Sequence, residues 1–272
     1  MELLRTSFSW VGSDDMLLDT PAVTKAGCIT IGRYGGHSSA GAKKNEDGCL
    51  VWCNKEYNWE FAVVLDAHNT AQSAELVVDA LESCRESIHV LLNKPASFCL
   101  PRLEEKILSI FQSDSFKRKC SEIKGETACL IAVRKDNYLW WFSVGDNLLF
   151  LFANELRSFG QQQLNQRNFY EWIGQVNTFD LDVPCYSTGR RELRHGNNYI
   201  ILATDGLIEC PNEPFADPQT IYQRFEDHDP IYAVQSLLDD VHYNKGTDST
   251  TVLAWSVSNS NKAVMPSNMP SF

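Results

Sequence analysis

The sequence has no apolar run near the ~20 residues that span a bilayer. Its first residues, with Glu2, Arg5 and polar neighbours around Trp10, lack the apolar centre of a secretory leader. It also has no C-x-x-C pair. Nine cysteines, an odd number, are scattered singly, and Cys28 and Cys129 fall in apolar strand-like runs. That pattern speaks against structural zinc and against a disulfide framework, and fits buried thiols in a reducing compartment, so a cytosolic location is expected. Positive charge is in short supply. A net charge of −11 without a basic stripe argues against nucleic acid and anionic membranes as partners. No G-x-G-x-x-G follows a strand, which removes nicotinamide cofactors, and the stretch from Gly36 to Lys43 lacks the Gly-Lys-Ser/Thr of a phosphate loop. Gly36 to Ala40 (GHSSA) comes near a nucleophile elbow but lacks its last glycine and its strand-turn-helix setting. The aromatic run Trp140, Trp141, Phe142 reads as core and sheet surface rather than a base-stacking platform.

What remains is an ordinary globular composition, 43% apolar and 22% charged over 272 residues. No linker or repeat divides the chain. One domain over 1–257 is expected, with 1–26 peripheral, a polar frayed tail at 258–272 carrying Pro266 and Pro270, and a monomeric state. Strands are predicted over Cys28 to Tyr34, Gly48 to Cys53 and Trp59 to Leu65. An apolar stripe through Ala74, Val77, Val78, Leu81, Cys84, Ile88, Leu91 and Leu92 predicts one long helix from Thr70 to Leu92. Pro95 and Pro101 bracket a turn before a second helix through Leu103, Ile107, Ile110 and Phe111. Strands over Thr127 to Arg134, Tyr138 to Val144 and Leu148 to Ala153 are joined too closely for crossover helices and are expected as antiparallel neighbours. The Gln- and Asn-rich stretch from Gln161 to Thr178, with Phe169, Tyr170 and Trp172, reads as an insertion or surface loop whose aromatics could meet a substrate or partner. Tyr199 to Thr204 is a strand, Asp217 to Phe225 and Pro230 to Tyr243 are helices, and Thr250 to Val257 is the last strand. Helices in two places and antiparallel strands between them point to two packed sheets with helices outside, an α+β, four-layer α-β-β-α sandwich.

Acidic residues fall where those strands meet loops: Asp47, Asp66, Asp205 and Asp248. One aspartate at a strand end is an ordinary turn or cap residue. Several brought together would repel each other and raise each other's pKa unless a cation joined them. Oxygen ligands in that number, without a His or Cys cluster, select magnesium or manganese over zinc or copper.

Six segments, in order from Lys44 to Thr251, resemble the protein phosphatase 2C family of metal-dependent phosphatases. Lys44-Asn45-Glu46-Asp47 resembles the family's opening acidic motif, and Phe61 to Asn69 (FAVVLDAHN) its Asp-Gly-His strand end. Gly125-Glu126-Thr127-Ala128 is similar to its Gly-Ser-Thr-Ala turn and Val144-Gly145-Asp146-Asn147 to its Val-Gly-Asp-Ser segment. Leu202 to Leu207 (LATDGL) and Asp248 to Thr251 (DSTT) resemble its Asp-Gly and Asp-Asn motifs.

The resemblance implies hydrolysis of phosphoserine or phosphothreonine in a phosphoprotein substrate by a metal-activated water, with two magnesium or manganese ions. Asp66 would bridge them, the carbonyl of Ala67 would bind one, Asp205 and Asp248 would complete the other, and Glu46 and Asp47 would act directly or through waters. His68 matches the family's general acid, and its ordinary pKa near 6.5 suits that task. Asp146 either binds a third metal or supports the site, or is a turn residue. The family usually has an arginine four residues before Glu46 to grip the phosphate. Here that position is Ala42, and the nearest cations are Lys43 and Lys44. A lysine offers a point charge without bidentate geometry. Glu209 and Ser249 stand where the family has aspartate and asparagine, and Ala67 stands for glycine. Two other readings stay open: a catalytically silent binding or regulatory module with this fold, and a phosphatase for a small phosphorylated metabolite.

Overall fold

Alternation along the strands sets the architecture, as seen in a computed structural model that describes residues 6–226 and 228–267. On the central strand Trp59–His68, Phe61, Val63 and Leu65 pack into one apolar cluster, while Ala62 and Val64 pack into another on the opposite face. A strand buried on both faces must lie between two apolar layers.

The strands are β1 (Ser7–Val11), β2 (Ala22–Ala26), β3 (Ile29–Tyr34), β4 (Gly48–Asn54), β5 (Trp59–His68), β6 (Glu126–Lys135), β7 (Tyr138–Val144), β8 (Leu148–Phe152), β9 (Ile173–Gly174), β10 (Ser187–Glu192), β11 (Gly196–Ala203) and β12 (Thr250–Asn259). The α-helices are α1 (Gln72–Ser83), α2 (Arg85–Leu92), α3 (Ala96–Phe111), α4 (Asp114–Glu122), α5 (Asn154–Arg157), α6 (Pro218–Phe225) and α7 (Pro230–Tyr243). One sheet has the order β1-β4-β5-β6-β7-β10, with β9 also on β6, and the other β2-β3-β12-β11-β8. Every pairing is antiparallel. Cys49, Val51, Leu130 and Ala132 of the first sheet meet Ile31, Leu151, Ile200 and Leu253 of the second in the middle layer. Helices α1 to α4 cover the outer face of the first sheet and α6 and α7 that of the second. This is the expected α+β four-layer sandwich.

Four local expectations change. The stripe from Thr70 to Leu92 belongs to two helices with a break at Cys84; both pack on the same sheet, so the apolar periodicity runs through the break unaltered. Pro101 lies inside α3 rather than in a turn. Burial of Cys99, Leu100, Leu103 and Ile107 outweighs the backbone bond a proline forfeits, roughly 3 kcal/mol. β8 is not a neighbour of β7: the turn at Gly145–Asn147 carries the chain across to the second sheet, where β8 pairs with β11. The stretch 161–178 is irregular as expected, but it is pinned along its length. Leu151 and Leu164 exchange backbone bonds with Gln162 and Leu149, and β9 adds to β6. Residues 1–5 of the stretch expected to be peripheral, and those beyond 267 in the tail expected to be frayed, lie outside the described residues. No described helix is long and apolar enough to cross a membrane.

Candidate metal centre

Antiparallel pairing brings strand starts and strand ends to the same edge. Asp47 precedes β4, Asp66 lies near the end of β5 opposite Ala128, and Asp146 follows β7. Asp205 follows β11, and Asp248 precedes β12, which pairs with β11. Both sheets thus deliver carboxylates to one end of the sandwich.

Two glycines make the approach possible. Gly145 has φ +88°, and a Cβ there would come within 2.5 Å of the Ala128 Cβ, so the turn that presents Asp146 needs glycine. A Cβ on Gly206 would lie 2.1 Å from the Ser249 carbonyl oxygen. The Asp205 turn therefore rests directly on the backbone beside Asp248.

One carboxylate oxygen from each of Asp66, Asp146 and Asp205 lies within 4.8 Å of the other two. Asp66 is 4% exposed, and its Oδ2 is buried with no hydrogen-bond partner among the described residues. The same is true of Oε1 of Glu46, whose Oε2 pairs with Lys44 Nζ at 2.6 Å. Burial, then the charge of Asp66, pushes Asp205 up to about 9 and Asp248, at the accessible rim, up to about 6. Asp146 is raised for the same two reasons. Unpartnered buried oxygens and carboxylates that hold each other out of their ordinary range form a donor set that a cation would fit. All-oxygen ligation without His or Cys fits magnesium or manganese.

Asp47 is differently placed. It is 1% exposed, and its Oδ2 accepts from Thr204 Oγ1 at 3.0 Å and Thr251 Oγ1 at 2.7 Å. Burial, with Asp66 next, holds its pKa well above the usual carboxylate range. It ties the first sheet to β11 and β12 behind the other carboxylates. Ala67 is buried with its backbone in β5. His68 Nδ1 sits 3.5 Å from Asp66 Oδ1, with half its side chain exposed. The hydrogen bond to Asp66 raises its pKa to about 10, above the isolated value near 6.5, and so favours the protonated ring. Lys44 is engaged twice, with Glu46 and with the Asn69 carbonyl at 2.9 Å, and Lys43 is exposed. Ala42 is buried.

Sequence reasoning missed Arg167. Its Nη2 donates to Asp205 Oδ2 at 3.1 Å and Glu209 Oε1 at 2.6 Å, and stands 3.6 Å from Asp146 Oδ2. It comes from the Gln- and Asn-rich stretch, which has no periodicity to mark it. The signal that could have pointed to it is Ala42 at the position where the resemblance implies an arginine.

No family model and no curated protein matches the sequence. Solved structures do match in fold. A bacterial serine phosphatase superposes with a TM-score of 0.61 at 16% identity, covering 86% of this chain and 99% of its own. RsbX, solved in complex with magnesium, gives 0.57 at 13% identity over 88% and 100%. The serine/threonine phosphatase PstP/Ppp of Mycobacterium tuberculosis gives 0.55 at 16% identity over 93% and 97%. With two antiparallel sheets and helices on both outer faces, the chain shares the fold of these proteins, the protein phosphatase 2C fold that its sequence motifs resemble.

Proposed function

We propose that this protein hydrolyses phosphoserine and phosphothreonine in proteins, using divalent cations held at the Asp66 edge of the sandwich. The observation that carries the proposal is the meeting of Asp66, Asp146 and Asp205 with an unpartnered buried oxygen on Asp66. In this reading Asp66, Asp205, Asp248 and the Ala67 carbonyl hold two magnesium or manganese ions, Glu46 and Asp47 support them directly or through water, and Asp146 binds a third. Bound cations supply Lewis acidity, lowering the pKa of water and offsetting phosphoryl charge. The chain's own residues do the rest. Asp66 orients His68, which holds a proton on a half-exposed ring beside the carboxylates and would give it to the leaving serine or threonine oxygen. Lys43 and Lys44 would add positive charge near the phosphate.

A silent binding module is favoured by one observation, the alanine at position 42. The two readings part on the Asp205→Asn variant. The enzyme reading expects metal-dependent phosphate release from a phosphothreonine peptide to be lost in it. A module expects no release from either protein and unchanged capture of the phosphoprotein.

A further inference from the structure

We infer that Arg167 is the residue that grips the substrate's phosphoryl group, taking the part left vacant by Ala42. The inference rests on the reading of the site as a phosphohydrolase. Three observations carry it.

The first is placement. The segment that carries Arg167 is fixed to the turn that presents Asp146 and to the start of β8. The Asn165 side chain accepts from the Leu149 N–H at 2.8 Å and donates to the Asn147 carbonyl at 2.7 Å, and the backbone N–H of Asn168 donates to the Gly145 carbonyl at 3.0 Å. Arg167 itself donates from Nε to the Asp146 carbonyl at 3.3 Å, and its guanidinium packs 4.9 Å from the centre of the Phe169 ring. A long side chain whose segment is tied two residues before it and one after, and which is held on its own stem and against a ring, loses little freedom when it takes a ligand.

The second is its anchor. Glu209, the shortest of its three carboxylate contacts, lies outside the set assigned to the metals. A cation on Asp146 and Asp205 would compete with Arg167 for their oxygens and leave Glu209 to hold it at the rim. Nη1 makes no hydrogen bond among the described residues. A planar fork with donors to spare beside the carboxylates suits a tetrahedral dianion and is hard for lysine to replace.

The third is the lack of a rival. Lys44 is committed to Glu46 and Asn69, and Lys43 and Lys44 both lack the fork. Among the described residues, Arg167 alone of the arginines pairs with Asp146 or Asp205.

The test uses the full protein loaded with magnesium, in the wild type, Arg167→Ala and Arg167→Lys. Calorimetry measures binding of inorganic phosphate and, separately, of magnesium; kinetics on a phosphothreonine peptide give KM and kcat. Loss of charge-assisted bonds predicts a rise in the phosphate Kd and in KM of about tenfold to hundredfold in Arg167→Ala, with Arg167→Lys recovering only part. Magnesium affinity should hold or tighten once a competing cation is gone. An unchanged phosphate Kd in Arg167→Ala overturns the inference. So does a fall in magnesium affinity that accounts for the loss, because Arg167 would then only support the carboxylates. A wild type that binds phosphate through Arg167 yet frees none from the peptide contradicts the phosphatase reading and leaves this assignment standing.

Discussion

At the scale of single residues, His68 owes its behaviour to Asp66. The carboxylate 3.5 Å away raises the pKa of the ring and so favours the protonated form from which a proton donor must start. His68→Asn keeps a polar group and loses the proton, so kcat on a phosphothreonine peptide should fall by about 10²–10⁴ with metal affinity by calorimetry little changed. A variant with wild-type kcat would remove His68 from the chemistry. The aspartates were legible in the sequence because each follows or precedes an apolar strand within a short motif, and strand ends can be read locally. Arg167 was not, because its reach to Asp205 depends on Asn165 and Asn168 docking against the turn at Gly145–Asn147. The clasp of Asp47 by Thr204 and Thr251 was hidden for a similar reason: its partners are 157 and 204 residues away.

Among the elements, the turn after β11 shows how backbone contact places a functional group. Gly206, next to Asp205, packs against the Ser249 carbonyl; Gly206→Ala must push the two segments apart. Forcing atoms into a packed site costs about 1–3 kcal/mol, so chemical denaturation should show that loss together with weaker metal binding. Unchanged stability and metal affinity would mean the two segments are free to separate. The strong strands β4 to β7, β11 and β12 and the helices α6 and α7 were legible from apolar runs and from Asp217 and Asp229, whose side chains cap helices that begin with proline. The strands β1, β2 and β10 were not. They are partly exposed and mixed in polarity, and their pairing comes from neighbours distant in sequence. The break between α1 and α2 escaped notice because both halves bury the same face.

For the whole molecule, the charge gathered at one edge couples folding to pH. The pKa of Asp205 rises from 3.8 to about 9 and that of Asp248 from 3.8 to about 6, and His68 rises from 6.5 to about 10. A raised pKa means the folded state holds protons the unfolded chain has released. That stability is complete below the unfolded values and is lost as pH climbs through the folded ones. Without divalent metal, the midpoint of thermal unfolding should therefore fall between pH 5 and pH 8, and magnesium should restore it most at the upper end. A metal-free midpoint that rises over this range would contradict the assignment of these shifts. The central claim, that the Asp66 edge is the metal centre of a phosphohydrolase, is tested most directly by phosphate release from a phosphothreonine peptide as a function of free manganese. The account predicts release that saturates with metal, stops with chelator and is absent in Asp66→Asn. Release that survives chelation, or persists in that variant, would contradict it.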